Sequence, residues 1–251
     1  MGDFRDETNP KASPVDHRQI MRDFTLLIPT CDRARPLAAL LGYLEMEKAG
    51  CQVLVLDSSR TDAMTVNRAQ IEGCLLDIER VEVPESQPGE ILRQGIRRVL
   101  TPLCAVCADE DLFVLEGMQH CLDALRASPG ASVAYGYSFS FMPHPDDNME
   151  LNELHFASMI EDASPLGRLG KLCGKYQTLS CGVFRTPALQ QIFDALQPVT
   201  KALARDLLWS ALVVIAGQPL FQPHFSYGRR WRGRWERARC PPLQSRSDLH
   251  V

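Results

Sequence analysis

Apolar and polar positions fall in blocks along this chain, and the blocks predict elements. FTLLIP (Phe24–Pro29) is almost wholly apolar and closes on a proline, which predicts a short buried strand. Thr30-Cys31-Asp32-Arg33 follows as a polar turn. From Arg35 to Lys48, Leu37, Leu40, Leu41 and Leu44 recur at helical spacing, and Gly50 stops the helix. QVLVL (Gln52–Leu56) predicts a second strand, ending at Asp57-Ser58-Ser59. Strands apolar at successive positions bury both faces, so this β-α-β unit belongs to a parallel sheet covered on both sides. Ligands of such sheets collect at the carboxyl ends of the strands. Both polar clusters, Thr30–Arg33 and Asp57–Ser59, fall at such ends.

Further on, the pattern predicts a short strand at Val81–Val83 and a helix over 88–100 with Ile91, Ile96 and Leu100 inward. The strand Leu103–Ala108 runs straight into Asp109-Glu110-Asp111. Phe113–Ala127 reads as a helix, Ser132–Phe141 as a strand rich in aromatics and hydroxyls, and 143–153 as a polar loop. The pattern over 155–177 is weak, a helix and a loop with Gly167, Gly170 and Gly174. Thr178–Phe184 predicts a strand, Pro187–Ala195 a helix, and Lys201–Ala216 a strong helix with Leu203, Leu207, Leu208, Leu212 and Ile215 apolar. The apolar stretch Leu207–Phe221, interrupted by Ser210, Gly217, Gln218 and Pro219, reads as a buried helix, a turn and a strand. It is too short and too broken to cross a bilayer, which takes about 18–20 apolar residues. The organisation expected is a polar lead-in over 1–22, one domain over 23–227, and a basic then polar tail over 228–251.

Composition narrows the class without changing this picture. With 251 residues, 45% hydrophobic and 23% charged, the chain can bury one large α/β core. A net charge of −4 gives no basic footprint for nucleic acid, and no nucleic-acid partner is expected. The 27 basic residues include only five Lys, so 22 are Arg, the side chain whose fork suits carboxylates and phosphates; compositional bias is the plainer explanation. Nine Cys spread over apolar segments, after an acidic start unlike a secretory signal, read as reduced thiols of a cytoplasmic protein. Cys104 and Cys107 form a CxxC inside LCAVCA, where a strand core outweighs zinc, because no second ligand pair stands at zinc spacing.

The chemistry centres on the acidic triplet. In extended backbone, Asp109 and Asp111 would share one side while Glu110 points away. Two such carboxylates make a hard oxygen site for Mg²⁺ or Mn²⁺, with waters and phosphate oxygens completing the shell. Asp32 and Asp57 would join them on one rim, where like charges are tolerated if a cation or ligand donors neutralise them. Asp57 has two readings, a ligand to a nucleobase or ribose, or a cap of the next helix.

These residues also carry a resemblance. FTLLIPTCDRARPLAALLGYL followed by QVLVLDSS resembles the opening of family 2 glycosyltransferases. AVCADEDLF resembles their metal-binding DxD element, and YQTLSCGVFRTPALQQIF and ARDLLWSALVVIAG resemble later segments of a bacterial subgroup, so the match spans roughly 24–227. The resemblance implies a GT-A fold, a mixed and mostly parallel sheet flanked by helices, with a nucleotide half over about 23–112 and an acceptor half over about 113–227. It implies transfer of a sugar, with inversion, from a UDP- or GDP-linked donor to a hydroxyl of a carbohydrate or other acceptor. Pro29, Thr30 and Arg33 would shape the nucleoside pocket, Asp57 and Ser58 would meet the base or ribose, and Asp109 and Asp111 would hold the metal against the diphosphate. A catalytic base is expected at the start of a late helix, usually in a Glu-Asp pair; here Ala204-Arg205-Asp206 offers Asp206, against a plain surface salt bridge. His224 stands where a late histidine completes some metal sites, against an ordinary structural role.

The segment GRRWRGRW sets Arg229, Arg230, Arg232 and Arg234 beside Trp231 and Trp235. It reads as diphosphate binding by Arg229 and Arg230, as peripheral contact with the inner face of a membrane, as nucleic-acid contact, or as a solvated tail. Rival functions are a sugar nucleotidyltransferase, disfavoured because Thr30–Arg35 lacks glycine, and a degenerate domain that binds without turnover. A dinucleotide oxidoreductase lacks its GxGxxG after the first strand.

Overall fold

The structure, a computed structural model, describes residues 21–83, 88–143, 149–199 and 201–231. Its strands are β1 (Phe24–Thr30), β2 (Gln52–Asp57), β3 (Ile78–Glu82), β4 (Leu103–Val106), β5 (Leu112–Phe113), β6 (Ala131–Pro143), β7 (Met149–His155), β8 (Val183–Arg185) and β9 (Gln218–Arg230). Its helices are α1 (Ala34–Met46), α2 (Thr61–Glu72), α3 (Pro88–Arg98), α4 (Leu115–Ala127), α5 (Pro165–Gly174), α6 (Thr186–Leu196) and α7 (Ala202–Ala216).

All the strands join one sheet in the order β3-β2-β1-β4-β8-β6-β9-β5, with β7 added beside β6. The first half is parallel: β1 pairs with β2 and β4, and β2 with β3. The second half is mixed, since β8 runs antiparallel to β4 and β6 while β6 and β9 run parallel. This is the α/β architecture expected from the pattern, and among the described residues no helix is long and apolar enough to cross a membrane.

Alternation along each strand feeds two cores, one on each face. Leu26 and Ile28 of β1, Val53 and Val55 of β2, and Leu103 and Ala105 of β4 pack with Leu37, Leu41 and Leu44 of α1 and Met118 and Leu122 of α4. Leu27, Leu54, Leu56 and Cys104 face the other way, toward Ile91 and Ile96 of α3, Ile192 and Phe193 of α6, and Val213 of α7. Cys104 and Cys107 therefore sit in different cores and cannot share an ion; the eight described cysteines are all free thiols. Gly117 lets α4 lie against β9, because a Cβ there would fall 2.0 Å from the Phe225 carbonyl oxygen.

Several expectations are corrected. Helix α2 was expected only as the element following Asp57, with no bounds: TDAMTVNRAQIE has few apolar positions, and its fully buried residue is the polar Asn67. The segment read as a polar loop contains β7, exposed at every position and held by pairing with β6 rather than by burial. Helix α3 stops at Arg98, so Leu100 is exposed rather than inward. On α7, Trp209, Ser210, Val213 and Val214 are buried, while Leu203, Leu207, Leu208 and Ile215 face out. Finally, β9 continues to Arg230, so Arg229 and Arg230 belong to the sheet and not to a tail beginning at 228. Residues 1–20 of the lead-in, residues 144–148 of the expected polar loop, and Arg232, Arg234 and Trp235 lie outside the described residues.

Candidate active site

The carboxyl ends of β1, β2 and β4 meet on one rim, as the β-α-β pattern requires. Pro29 is buried within β1, paired in register with Leu56, and is a strand residue rather than part of a pocket wall. Its missing N–H costs no ladder bond, because β4 ends at Val106, opposite Leu27. The chain leaves β1 through Asp32, which adopts φ 55°, a left-handed conformation that aspartate tolerates. That turn is closed by reciprocal bonds: the Asp32 N–H donates to Ser59 Oγ at 2.9 Å, and the Arg60 N–H donates to Asp32 Oδ1 at 2.9 Å. Ser58 donates to the Thr30 carbonyl oxygen through its N–H (3.0 Å) and its hydroxyl (3.1 Å).

Asp57 is fully buried and fully bonded. Its Oδ1 accepts from the Ser59 N–H at 3.0 Å; its Oδ2 accepts from Asn67 Nδ2 and Arg80 Nη1, both at 3.2 Å. It does not cap α2, whose cap position is Arg60, and its partners all lie inside the fold.

The acidic triplet departs further from expectation. Residues 109–111 are not extended: the Asp111 N–H donates to the Ala108 carbonyl oxygen at 3.0 Å, closing a tight turn. The alternation that would place Asp109 and Asp111 side by side is lost. Asp109 turns toward β1, where Oδ2 accepts from Thr30 Oγ1 at 2.8 Å and Oδ1 from Arg33 Nη1 at 2.9 Å. Asp111 turns toward β9, where Oδ2 accepts from the Tyr227 hydroxyl at 2.7 Å and Oδ1 from the Arg230 N–H at 2.8 Å. Glu110 lies 3.3 Å from Arg33 Nη1, and its side chain is the most exposed of the three acids. Burial raises the carboxyl pKa of Asp109, opposed by the Arg33 charge, and it pushes Asp111 up to about 6, opposed by the Tyr227 bond.

A two-carboxylate metal clasp does not fit these donors. Both oxygens of each aspartate already accept a protein hydrogen bond, and the two side chains serve different strands. His224, the third expected ligand, stacks face to face on His120 of α4, ring centroids 3.7 Å apart and planes within 10°. It lies three residues before Tyr227, about 10 Å back along the strand. Among the described residues, no three His, Cys, Asp or Glu side chains gather to hold an ion.

Beside the turn lies a cavity of about 520 Å³, whose walls include Tyr135, Tyr176, Thr178, Asp206, Tyr227 and Arg229. Its size suits a ligand of a few hundred daltons. Asp206 reaches it from the second turn of α7 and is held loosely: the Tyr176 hydroxyl lies 3.4 Å from Oδ2 and Thr178 Oγ1 lies 3.5 Å from Oδ1. The surface salt bridge weighed for Asp206 is not what its surroundings show, since Arg205 turns back to the Val199 carbonyl oxygen at 2.7 Å. Arg229 donates to Cys181 Sγ at 3.3 Å on the cavity wall, and its charge lowers the Asp111 pKa. Arg230 contributes its main chain to Asp111. Tyr227 joins the two features, lining the cavity while bonding the acidic turn. A larger cleft, about 790 Å³, lies at the opposite end of the sheet around Lys48, Gln52 and Thr101, away from every candidate residue.

Sequence reasoning missed Tyr176, Thr178, Tyr227, Arg80 and Asn67. Tyr227 had a signal in its place beside the Arg cluster, and Tyr176 and Thr178 lie in the family-like segment YQTLSC; Arg80 and Asn67 are ordinary residues that chain folding brings to an acid.

No protein-family model matches the chain, and no curated protein sequence matches it. Solved structures do. S. aureus TarS 1-349 in complex with UDP-GlcNAc superposes with a TM-score of 0.57 at 13% identity, over 88% of this chain and 62% of that one. The longer S. aureus TarS structure gives 0.56 at 14%, over 84% of this chain and 37% of that one. A mannosyltransferase from Pyrobaculum calidifontis, PcManGT, in complex with GDP-Man and Mn²⁺ gives 0.54 at 14%, over 87% and 59%. The chain thus spans 37% to 62% of the length of these proteins. At such identity the likeness speaks for architecture, and what it establishes is that this chain has the GT-A glycosyltransferase fold.

Proposed function

We propose that this chain transfers a sugar from a nucleoside-diphosphate sugar, UDP- or GDP-linked, to a hydroxyl of a carbohydrate or other acceptor. The observation that carries the reading is the placing of Asp206. It is a loosely bonded carboxylate on the wall of a ligand-sized cavity, beside the rim where open α/β sheets bind nucleotides. The neighbours in complex with UDP-GlcNAc and GDP-Man support the donor class.

In this reading the nucleoside sits over the β1–α1 turn, and the sugar enters the cavity. Asp206 accepts the proton of the acceptor hydroxyl as its oxygen attacks the anomeric carbon. The bond from that carbon to the diphosphate oxygen breaks, and the nucleoside diphosphate leaves with the electron pair. Attack from the face opposite the leaving group inverts the configuration. Tyr176 and Thr178 hold Asp206 in place, and their long contacts leave its oxygens accessible to an acceptor. The mannosyltransferase neighbour contains Mn²⁺, but the acidic turn of this chain does not fit the same clasp, and no step here passes through a metal.

The test is a pair of measurements on wild type and Asp206→Asn. Nucleoside diphosphates and sugar nucleotides are screened by thermal shift, and hydrolysis or transfer is followed with any donor that binds. The reading expects binding to survive the substitution and turnover to vanish. Unchanged turnover in Asp206→Asn would remove the base from the scheme, and a chain that no nucleotide stabilises would remove the function.

A further inference from the structure

The acidic turn contains its own cation. Arg33 Nη1 stands 2.9 Å from Asp109 and 3.3 Å from Glu110, the position an ion shared by those acids would occupy. The side chain is only 12% exposed, and its backbone is fixed at the start of α1, where the Arg33 carbonyl oxygen accepts the Leu37 N–H at 3.1 Å. A divalent ion bonding Asp109 at about 2.0–2.1 Å would compete with the guanidinium and the Thr30 hydroxyl for the same two oxygens. It would then sit beside that positive charge. A second guanidinium, Arg229, lies on the cavity side of the turn; it is exposed, and its charge is felt at Asp111. A bridging metal does two things at such a site: it neutralises the acids and it grips the diphosphate. Here one guanidinium already stands against two of the acids, and a second lines the cavity beside the turn.

We propose that Arg33 and Arg229 take the place of a divalent metal, so that a nucleoside diphosphate binds this chain without one. Arg33 balances Asp109 and Glu110 from beneath, and Arg229 meets the phosphate oxygens from the cavity wall. Guanidinium suits this task because it stays charged and matches phosphate oxygens with a planar fork of donors. The inference rests on the nucleotide-sugar reading above but can fail separately from it.

The experiment is calorimetric titration of the full chain with UDP and with GDP, in EDTA and again in Mn²⁺. For whichever nucleotide binds, the affinity should be the same in both buffers. Arg229→Ala should weaken binding roughly ten- to a hundredfold in EDTA, the loss of one or two charge-assisted hydrogen bonds. Arg33→Ala, by uncovering Asp109 and Glu110, should make binding depend on Mn²⁺. Because Arg33→Ala leaves a buried carboxylate without its partner and can unfold the turn, Arg229→Ala, at an exposed position, carries the decision on its own. Wild-type binding that needs Mn²⁺, or an Arg229→Ala variant that binds like wild type in EDTA, overturns the proposal and leaves the transferase reading standing. Binding of neither nucleotide in either buffer overturns both.

Discussion

Two sets of acids in this molecule live by different rules. Asp57, Asp109 and Asp111 are buried, and each oxygen accepts a hydrogen bond between 2.7 and 3.2 Å from a protein donor. Asp206 faces a cavity and has only hydroxyl contacts at 3.4 and 3.5 Å. A buried carboxylate held at both oxygens by short bonds from the protein holds the fold together, because burying it unpaired would cost several kcal/mol. A carboxylate with weak partners can take a proton from something that enters. Nearness to the carboxyl ends of the strands does not separate the two kinds, and neither does the number of donors, two each for Asp109, Asp111 and Asp206; the length of the contacts does.

Substitutions sharpen this contrast, and the largest effect is expected at Asp206. Asp206→Asn should lower turnover by roughly 10²–10⁴-fold, the usual contribution of a general base, with little change in melting temperature. A loss of stability instead would class it with the rim acids. Next comes Asp57→Ala, which leaves the Ser59 N–H and Asn67 without their carboxylate acceptor while Arg80 keeps Glu82, and should cost about 3 kcal/mol in denaturant unfolding, the penalty for leaving buried donors unmet. Were Asp57 a ligand to the base instead, the variant would fold normally and lose nucleotide binding.

The third expectation concerns pH. Asp111 is pushed up to about 6 from an ordinary 3.8, so the folded chain holds that proton more tightly than the unfolded chain does. Its contribution is therefore fully present below the ordinary carboxylate range and is lost as pH rises through 6. The span is on the order of 2–3 kcal/mol. Wild type minus Asp111→Asn, measured by urea unfolding from pH 3.5 to 7, isolates this slope from the other carboxylates; a flat difference contradicts the burial. The smallest effect is expected for Tyr227→Phe, about 1–2 kcal/mol for one buried hydrogen bond. It removes a donor that favours the Asp111 carboxylate, so the midpoint of the Asp111 slope should also move to higher pH.

The first half of the sheet was largely legible in the sequence, because its strands are buried on both faces and announce themselves as apolar runs. Leu26, Leu27, Leu54 and Val55 fill the two cores as that pattern demands. The second half was harder. Strand β7 is exposed throughout, and β9 carries Pro219, Pro223, His224 and two arginines, so neither shows burial periodicity; β6 supplies the pairing that makes them strands. The bounds of helix α2 escaped because its inward residue is Asn67, buried against Asp57. Within the site, the rim position of Asp57, Asp109 and Asp111 was readable from where strands end. Their engagement was not, since Arg80, Arg33 and Tyr227 reach them from 23, 76 and 116 residues away. A single turn closed by Asp111 at Ala108 was enough to send two acids, one residue apart in the sequence, to different strands.

The division between structural and available acids is tested most directly by a crystal structure of the chain with UDP or GDP bound, grown in the presence of Mn²⁺. The account predicts a diphosphate against Arg229, with Asp109 still bonded to Thr30 and Arg33, Asp111 still bonded to Tyr227, and Asp206 facing the sugar end of the ligand. Asp109 and Asp111 swung away from those partners to share one Mn²⁺ with the diphosphate would contradict it.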